Sequence, residues 1–250
     1  GAAAAAGALQ CRHPGFSRCL LKALKDSEPD VRAEAARALA ELSLPERAVV
    51  LALGRALKDT APCVRQQAAR ALDKQIAAAL AELGMKGGRF ETRFECGELC
   101  ATGIDRVEFL LAANPGEPLK PLRHVASGGE ISRVMLALKS VFAKADTIPT
   151  LIFDEIDAGV GGAVANKVAA KLAELAGSHQ TICISHLPQI AAAAQTHFHV
   201  AKETQKKRTV TSVARIADED RVRELARLLD GSVSAVSIEH ARSLLAPQAK

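Results

Sequence analysis

The sequence predicts an α/β protein with a parallel-rich sheet flanked by helices, preceded by an all-α helical repeat. Three observations predict it: an internal repeat near the amino terminus, alternating strand and helix patterns after residue 89, and a composition almost without aromatic residues. Hydrophobic residues make up 48% of the 250 residues, yet aromatic residues only 3%, all of them Phe. A core of Ala, Leu, Val and Ile favours close-packed helices and buried parallel strands.

The amino-terminal third contains two copies of one helical repeat. Residues 23–32 (ALKDSEPDVR) recur 33 positions later as residues 56–65 (ALKDTAPCVR), and each copy continues into AARAL. The shared Asp-x-x-Pro element indicates a turn with proline at a helix start, and Val31, Ala35 and Leu39 share one predicted buried face. This segment, residues 9–72, resembles the HEAT repeats of α-solenoids. Because such stacks usually need three copies, it either packs on the following domain or is the remnant of a longer array.

A second domain is predicted over residues 73–250. The last repeat helix continues to Gly84, and its second half, residues 73–84, is either a connecting helix or the returning arm of a coiled coil. From Arg89 onward strand and helix patterns alternate, as in a parallel α/β sheet. The predicted strands are 89–95, 104–112, 150–153, 181–185, 197–202 and 208–215, and the predicted helices begin at residues 127, 162, 188, 219 and 234.

A helix start at Ser127 predicts an anion-binding site. Ser127 and Glu130 form a capping-box pattern, in which the hydroxyl accepts from the Glu130 amide and the carboxylate accepts from the Ser127 amide. Gly128 and Gly129 leave the first turn without side chains, so a phosphate can approach the exposed amides and the positive end of the helix dipole. By itself, such a short pattern is more often only a helix start.

Two acids follow the predicted buried strand 150–153. Asp154 stands at its carboxyl end, where open α/β sheets bind ligands, and can hold Mg²⁺ through water. The adjacent Glu155 can deprotonate an attacking water. Two solvated acids are the alternative. The glycine-rich stretch 157–162 favours a site, because it lets a partner backbone approach closely.

His186 follows the strand 181–185, which we expect beside the strand of Asp154, with both strands ending at one edge. A neutral imidazole there can hydrogen-bond a γ-phosphate oxygen, although a lone histidine is more often structural. Ser127, Asp154 and His186 follow the order of an ABC-type nucleotide-hydrolysing site. The chain has no Gly-x-x-x-x-Gly-Lys-Ser/Thr phosphate loop (Walker A), so the part that holds the phosphates must come from another polypeptide or from a segment that this chain has lost.

Residues from about Leu83 to Leu245 resemble the carboxyl-terminal part of the RecN family, the bacterial SMC-like ATPases of DNA repair and recombination. The resemblance rests on the strings at 83–85, 105–109, 113–122, 127–133, 151–162 and 185–191. It implies ATP and Mg²⁺ as cofactors, hydrolysis between paired heads, and a role after DNA damage in double-strand break repair. In that family a phosphate loop and a coiled-coil arm precede these strings, whereas here the HEAT-like repeats stand in their place.

The resemblance also implies a role for each candidate site residue. The implied roles are nucleotide contact in trans for the signature Ser127, Gly128, Gly129 and Glu130, Mg²⁺ binding through water for Asp154, general base for Glu155, inter-head loop acid for Asp157, and γ-phosphate contact for His186.

Two functional hypotheses stay open. In the first, the chain is the carboxyl-terminal lobe of a RecN-like ATPase, active only with a phosphate-loop lobe or a second ATPase head. In the second, it is a non-catalytic interaction protein whose repeats recruit a partner. The abrupt change of character near residues 72–83 also fits a fusion of two unrelated segments.

Charge and cysteine content indicate the partners and the compartment. The net charge of +5 fits non-sequence-specific DNA binding, although a solvated basic face explains it equally well. No segment has the length of a membrane span, and no secretory signal precedes the six cysteines, so we expect a cytoplasmic protein with reduced thiols and, on DNA, nucleoid association. The basic residues of the last quarter include Lys202, Lys206, Lys207, Arg208, Arg215, Arg221, Arg223 and Arg227.

Overall fold

The computed structural model describes residues 14–42, 47–100, 103–125, 127–143, 146, 148–205 and 208–246. The chain forms two compact units, unit 1 over residues 1–149 and unit 2 over residues 150–250. Both the helical repeat and the α/β character predicted from the sequence are confirmed. The first residues of the predicted repeat, 9–13, lie outside the described part of the chain.

Where the structure describes the repeat segment, it forms four helices, α1 (Pro14–Ala23), α2 (Pro29–Leu42), α3 (Arg47–Ala56) and α4 (Pro62–Glu82). Helices α2 and α4 each begin at a proline, because the first helical position has no intrahelical use for an amide N–H. Ala35 and Leu39 are buried as predicted, but Val31 is exposed, whereas its equivalent Val64 lies in the core. The fully buried members of this core are Ala36, Leu39, Val49, Leu53, Val64 and Ala68.

Arg32 and Arg65 stand 33 residues apart, at equivalent positions of the two copies. In each copy, the guanidinium Nη1 donates to two carbonyl oxygens of the preceding turn, at distances of 2.8 to 3.0 Å. Arg32 also donates through Nε and Nη2 to the two carboxylate oxygens of Asp59, both at 2.8 Å. The arginine of the first copy therefore ties its own turn to the turn of the second copy.

The repeats pack on the structure that follows them. Strands β1 (Arg89–Cys100) and β2 (Gly103–Ala112) pair antiparallel, and the short β3 (Lys120–Pro121) pairs with β2. Helix α4 continues unbroken to Glu82, as predicted, and contacts both β1 and helix α5 (Gly128–Phe142). Val141 and Phe142 of α5 pack against the repeat core. Of the two alternatives for a short array, packing on the next element is the one observed.

The predicted boundary between residues 72 and 73 falls inside helix α4 and stays a prediction. Asp73, directly after it, is buried and accepts hydrogen bonds from the Thr92 amide at 2.8 Å and the Thr92 hydroxyl at 2.6 Å. A side chain on the last repeat helix thus satisfies two donors of strand β1. Residues 73–82 are therefore part of the packing within unit 1.

Unit 2 contains one parallel strand pair. Strands β4 (Thr150–Phe153) and β5 (Gln180–Cys183) pair in parallel register, with Phe153 opposite Cys183, and are connected through helix α6 (Gly162–Leu175). The bounds of β4 are those predicted. The end of β5 comes two residues earlier than predicted, because Ser185 turns away to bond Asp157.

The other described elements of unit 2 are a hairpin and three helices. Strands β6 (His197–Gln205) and β7 (Arg208–Ile216) pair antiparallel, so in the described residues parallel pairing is confined to β4 and β5. Helices α7 (Pro188–Ala193), α8 (Asp218–Asp230) and α9 (Ala235–Leu245) complete the unit. Val222, Leu225, Ala226 and Ala241 form a small core between α8 and α9. None of the described helices combines the length and apolar character of a membrane span.

Candidate functional site

The parallel pairing of β4 and β5 brings two pairs of candidate residues to one edge. Asp154 and Glu155 follow β4, and Ser185 and His186 follow β5. The register continues past the strands, because the Ile184 amide donates to the Phe153 carbonyl at 2.9 Å. The expectation that the two strands are neighbours and end together is therefore confirmed within unit 2.

Asp157 connects the two loops at this edge. Its Oδ2 accepts from the Ser185 hydroxyl at 2.6 Å and from the His186 amide at 2.8 Å, and it lies 3.0 Å from Nδ1 of His186. The residue is only 4% exposed. Burial alone raises the pKa of the Asp157 carboxyl, but the hydrogen bonds from Ser185 and His186 and the nearby imidazole lower it more, so the pKa lies below its ordinary value.

The His186 side chain is 75% exposed. Its Nδ1 faces Asp157, so Nε2 is the ring nitrogen that a ligand can reach. Ser185 has a second bond, since its Oγ accepts from the Leu187 amide at 3.1 Å. The backbone on both sides of His186 is thereby fixed, while the outer edge of its ring stays accessible.

Asp154 and Glu155 are both exposed, so solvent and ligands can reach their carboxylates. The Glu155 amide donates to Asp154 Oδ1 at 2.9 Å. Glu155 has a φ of 53°, in the left-handed region that residues other than glycine rarely adopt. Such backbone strain occurs most often at functional sites, which is consistent with a site here.

The stretch 157–162 forms tight turns with open space around its glycines. The Ala158 amide donates to the Glu155 carbonyl and the Val160 amide to the Asp157 carbonyl, both at 3.1 Å. Gly159 has a φ of 71°, which requires glycine or imposes strain. A Cβ added at Gly159, Gly161 or Gly162 would meet no atom within 4 Å. The three glycines therefore have open space where a Cβ would stand, and the approach of a partner backbone stays a prediction.

The signature lies in unit 1, at the start of α5. Ser127 is the N-cap of the helix, and its hydroxyl accepts from the Glu130 amide at 3.4 Å, which is one half of the predicted capping box. Ser127 and Gly128 are exposed, and Gly129 is buried. Burial lowers the pKa of Arg133 in the next turn, although the Glu130 carboxylate opposes this shift. The helix start is as expected, but of the two glycines in its first turn only Gly128 is exposed.

The predicted site residues are divided between the two units. Asp154, Glu155, Asp157 and His186 gather at the carboxyl edge of β4 and β5, whereas Ser127 to Glu130 belong to unit 1. It stays a prediction that the signature and the acids act at one edge. The role of Asp157 between paired heads stays a prediction as well. Within the described residues no group of three or more His, Cys, Asp or Glu side chains could hold a metal ion by itself.

Sequence reasoning missed Ser185 and the inward orientation of Asp157. A hydroxyl directly before a histidine, at the end of a strand that neighbours an acid-bearing loop, was the available signal. Cys183 is also part of this environment. Burial, with smaller effects of Asp157 and Asp154, raises the pKa of its thiol to about 12.

Comparisons with known proteins find similarity to HEAT repeats and to RecN proteins. A family of HEAT repeats matches residues 2–84. The chain is 45% identical over 186 residues to the DNA repair protein RecN of Halalkalibacterium halodurans, a match that covers 69% of this chain and 33% of the relative. The RecN of Treponema pallidum is 48% identical over 180 residues, covering 68% of this chain and 31% of the relative. The resemblance to RecN is therefore confirmed, and the chain spans about a third of the length of these relatives.

Among solved structures, the Smc head domain with a coiled coil and joint from Pyrococcus yayanosii is similar to this chain. The TM-score is 0.48 at 20% sequence identity, and the match covers 80% of this chain and 36% of that structure.

Proposed function

We propose that this RecN-like chain is the carboxyl-terminal lobe of an ATPase that acts in DNA double-strand break repair, and that it hydrolyses ATP only when a phosphate-loop lobe is supplied. The observation that carries the proposal is the meeting of Asp154, Glu155 and His186 at the carboxyl edge of one parallel strand pair. Ligands of open α/β sheets bind at that edge. The sequence similarity to RecN proteins supports the same reaction class.

Each residue at the edge has a part in the proposed reaction. Asp154, an exposed carboxylate at a strand end, suits Mg²⁺ held through water, and the ion would neutralise charge on the transferred phosphoryl group. Glu155 would accept the proton of the attacking water. His186 would bind a γ-phosphate oxygen through Nε2. Catalysis would then consist of positioning and electrostatic stabilisation.

The signature would act on a nucleotide held by an opposing head. The first turn of α5 offers exposed backbone around Ser127 and Gly128, where the helix dipole favours an anion. Ser127, Gly128, Gly129 and Glu130 would thus complete a second site when two heads pair. The open space around Gly159, Gly161 and Gly162 supports a close approach of another backbone.

One face of the strand pair supports the need for a further lobe. Ile152, Ile182 and Ile184 are 67%, 45% and 57% exposed, and Ile152 and Ile182 are register partners. Parallel sheets are normally covered on both faces, and two strands alone are marginally stable. Together with the missing phosphate loop, this apolar face favours a lobe that is supplied by another polypeptide or another segment.

The test is an ATPase assay of the chain with and without a separately expressed RecN-type lobe that carries a phosphate loop. We expect hydrolysis only with the added lobe, and a decrease of about 100-fold or more in Glu155→Gln, the range typical of a lost general base. Glu174→Gln, on an exposed part of α6, is the matched control and should keep full activity. Equal hydrolysis by the chain alone, or by Glu155→Gln, would contradict the proposal.

The second candidate function is that of a non-catalytic interaction protein. The packing of the repeats on the elements that follow them supports this candidate. The repeats, the β1–β2 hairpin and α5 form one unit, which suits a scaffold that presents the signature helix next to a recruiting surface. ATP titration separates the two candidates, once the phosphate-loop lobe is present. Absent or millimolar ATP binding in that mixture favours the scaffold.

Binding of DNA without sequence specificity would accompany the repair function in the bacterial cytoplasm and on the nucleoid. Lys202 and Arg215 are exposed and lie on one face of the β6–β7 hairpin, and Arg223 is exposed on α8. Arg221 is engaged with the carbonyls that end α7, and Arg227 with Glu224, while Lys206 and Lys207 lie outside the described residues. Duplex affinity that does not fall between low and moderate salt would exclude phosphate contacts.

A further inference from the structure

The Asp157 carboxylate is buried and is in contact with the loop that carries His186. One oxygen, Oδ2, receives the Ser185 hydroxyl, the His186 amide and the Nδ1 edge of the His186 ring, at 2.6, 2.8 and 3.0 Å. A buried carboxylate is costly unless donors compensate it. Here the compensating donors are those that fix the position of the next strand's histidine.

We infer that Asp157 is a positioning residue for His186, which holds the ring with its proton on Nδ1 and turns Nε2 towards the ligand. The inference rests on the proposed function, because it assigns to His186 the contact with a γ-phosphate oxygen. A carboxylate can only accept hydrogen bonds, so it selects the ring form that has N–H at Nδ1. Asp157 Oδ2 also accepts hydrogen bonds from the His186 amide and the Ser185 hydroxyl, and these bonds fix the position of the carboxylate relative to the ring.

The hydrogen bond that His186 can form with a ligand follows from this geometry. A ring with N–H at Nδ1 has a lone pair on Nε2, which accepts a hydrogen bond. It donates to a phosphate oxygen only where Nε2 also carries a proton. The contact of His186 with a γ-phosphate oxygen remains part of the proposed function.

The arrangement also connects His186 to the general base candidate. Asp157 is two residues from Glu155 in the same turn, and the Ala158 amide bonds the Glu155 carbonyl. A shift of the turn that carries Glu155 would therefore alter the support behind His186. Ser185 contributes by holding the same oxygen, and its second bond to the Leu187 amide fixes the start of α7.

The first test needs neither ATP nor a partner. Long-range ¹H–¹⁵N spectra of the full chain report which imidazole nitrogen carries the proton. We expect His186 in the Nδ1–H form at a pH where the ring is neutral, and a change towards the Nε2–H form in Asp157→Ala. Ser185→Ala should keep the Nδ1–H form, because both His186 contacts remain. His179, whose Nδ1 lies 2.9 Å from Ser178 Oγ, is an internal reference that should not change in either variant.

An Nε2–H form of His186 in the unmodified chain would overturn the inference, and this result does not depend on whether any variant folds. An unchanged Nδ1–H form in a folded Asp157→Ala would overturn it as well.

The second test uses the chain mixed with the phosphate-loop lobe. Asp157→Ala should lower ATP hydrolysis by about tenfold or more, as happens when the carboxylate behind a metal-binding histidine is lost. When Asp157→Ala is combined with His186→Ala, ATP hydrolysis should not decrease below that of His186→Ala alone, because the two residues act as one unit. Independent effects would overturn the inference. Absence of hydrolysis in every mixture would instead contradict the proposed function, and the spectra would still decide the role of Asp157.

Discussion

Arg65 of the second repeat donates from Nε to Asp105 Oδ2 of strand β2, at 2.6 Å. The pair is equivalent to that of Arg32 with Asp59, which joins the first repeat to the second. Asp105 therefore takes the place of the aspartate that a third repeat would supply. Strand β2 ends the array in the way that a capping repeat does, which explains how two copies remain packed.

The first prediction concerns this pair. Asp105→Ala should destabilise unit 1 by about 1–3 kcal/mol, because it removes a charged hydrogen bond whose side chains are only 12% and 26% exposed. The coupling energy of Arg65 and Asp105, from a double-mutant cycle, should match that of Arg32 and Asp59. Circular dichroism during urea unfolding suits a chain without Trp or Tyr. A coupling near zero for Arg65 and Asp105, with a clear one for the other pair, would show that β2 does not cap the array.

The second prediction concerns the pH dependence of unit 1. Burial raises the pKa of Asp73, against the opposing hydrogen bonds from Thr92, so the folded state holds its proton to a higher pH than the unfolded state. The contribution of Asp73 to the free energy of unfolding should therefore decrease as pH rises from the ordinary aspartate pKa through the raised value. Asp73→Asn should remove this decrease. The measurement is urea unfolding of both proteins from pH 3 to pH 8, in steps of about one unit.

Asp59 provides a control of opposite sign. Its hydrogen bonds from Arg32 lower its pKa more than burial raises it, and the Ala61 amide adds to this effect. Its contribution should be complete above the ordinary aspartate pKa and be lost as pH falls through the lowered value. Asp59→Asn and Asp73→Asn should thus change the pH profile in opposite directions. Parallel changes would contradict both assignments.

Local patterns were sufficient to predict most elements from the sequence. Strand β4 was predicted with its bounds because an apolar run lies between a proline and an acidic pair, and both strand and breaker signals are local. Helix α4 was predicted as one long helix because its apolar spacing continues from Val64 to Leu80 without an interruption. The N-cap at Ser127 was predicted because its partner is three residues away.

The contacts that define the candidate site were not predictable to the same degree. Asp157 and His186 are 29 residues apart, and their contact requires both the pairing of β4 with β5 and the turn after Glu155. Arg65 and Asp105 are 40 residues apart. Arg65 belongs to the helical repeat, whereas Asp105 lies in a strand of the α/β segment that follows it. The prediction that Val31 lies in the core is wrong. Helical spacing indicates which face of a helix is buried, but not how deeply each residue on that face is buried. Pairing over such separations depends on packing that one sequence pattern does not encode.

The third prediction concerns thiol reactivity. With a pKa of about 12, Cys183 should have roughly one thiolate in 10⁴ at pH 8, and it should react with iodoacetamide far more slowly than the exposed Cys19, Cys63 and Cys96. Mass spectrometry of timed digests measures each rate. Labelling in urea is the control, since unfolding should remove the difference. Equal rates in the folded protein would contradict the burial that raises the pKa of the Cys183 thiol.

The last prediction concerns the backbone at Glu155. Its φ of 53° costs on the order of 1 kcal/mol for a residue with a Cβ, so Glu155→Gly should leave the free energy of unfolding unchanged or raise it by up to about 1 kcal/mol. Lys167→Gly, in the exposed middle of α6, is the matched control and should lower it by roughly 0.5–1 kcal/mol. Hydrogen exchange of peptides from unit 2 measures both. Glu155→Gly should also abolish hydrolysis with the phosphate-loop lobe, so that stability and activity change independently, as expected where a strained backbone serves a site. A destabilisation equal to that of Lys167→Gly would show that the turn holds Glu155 without strain.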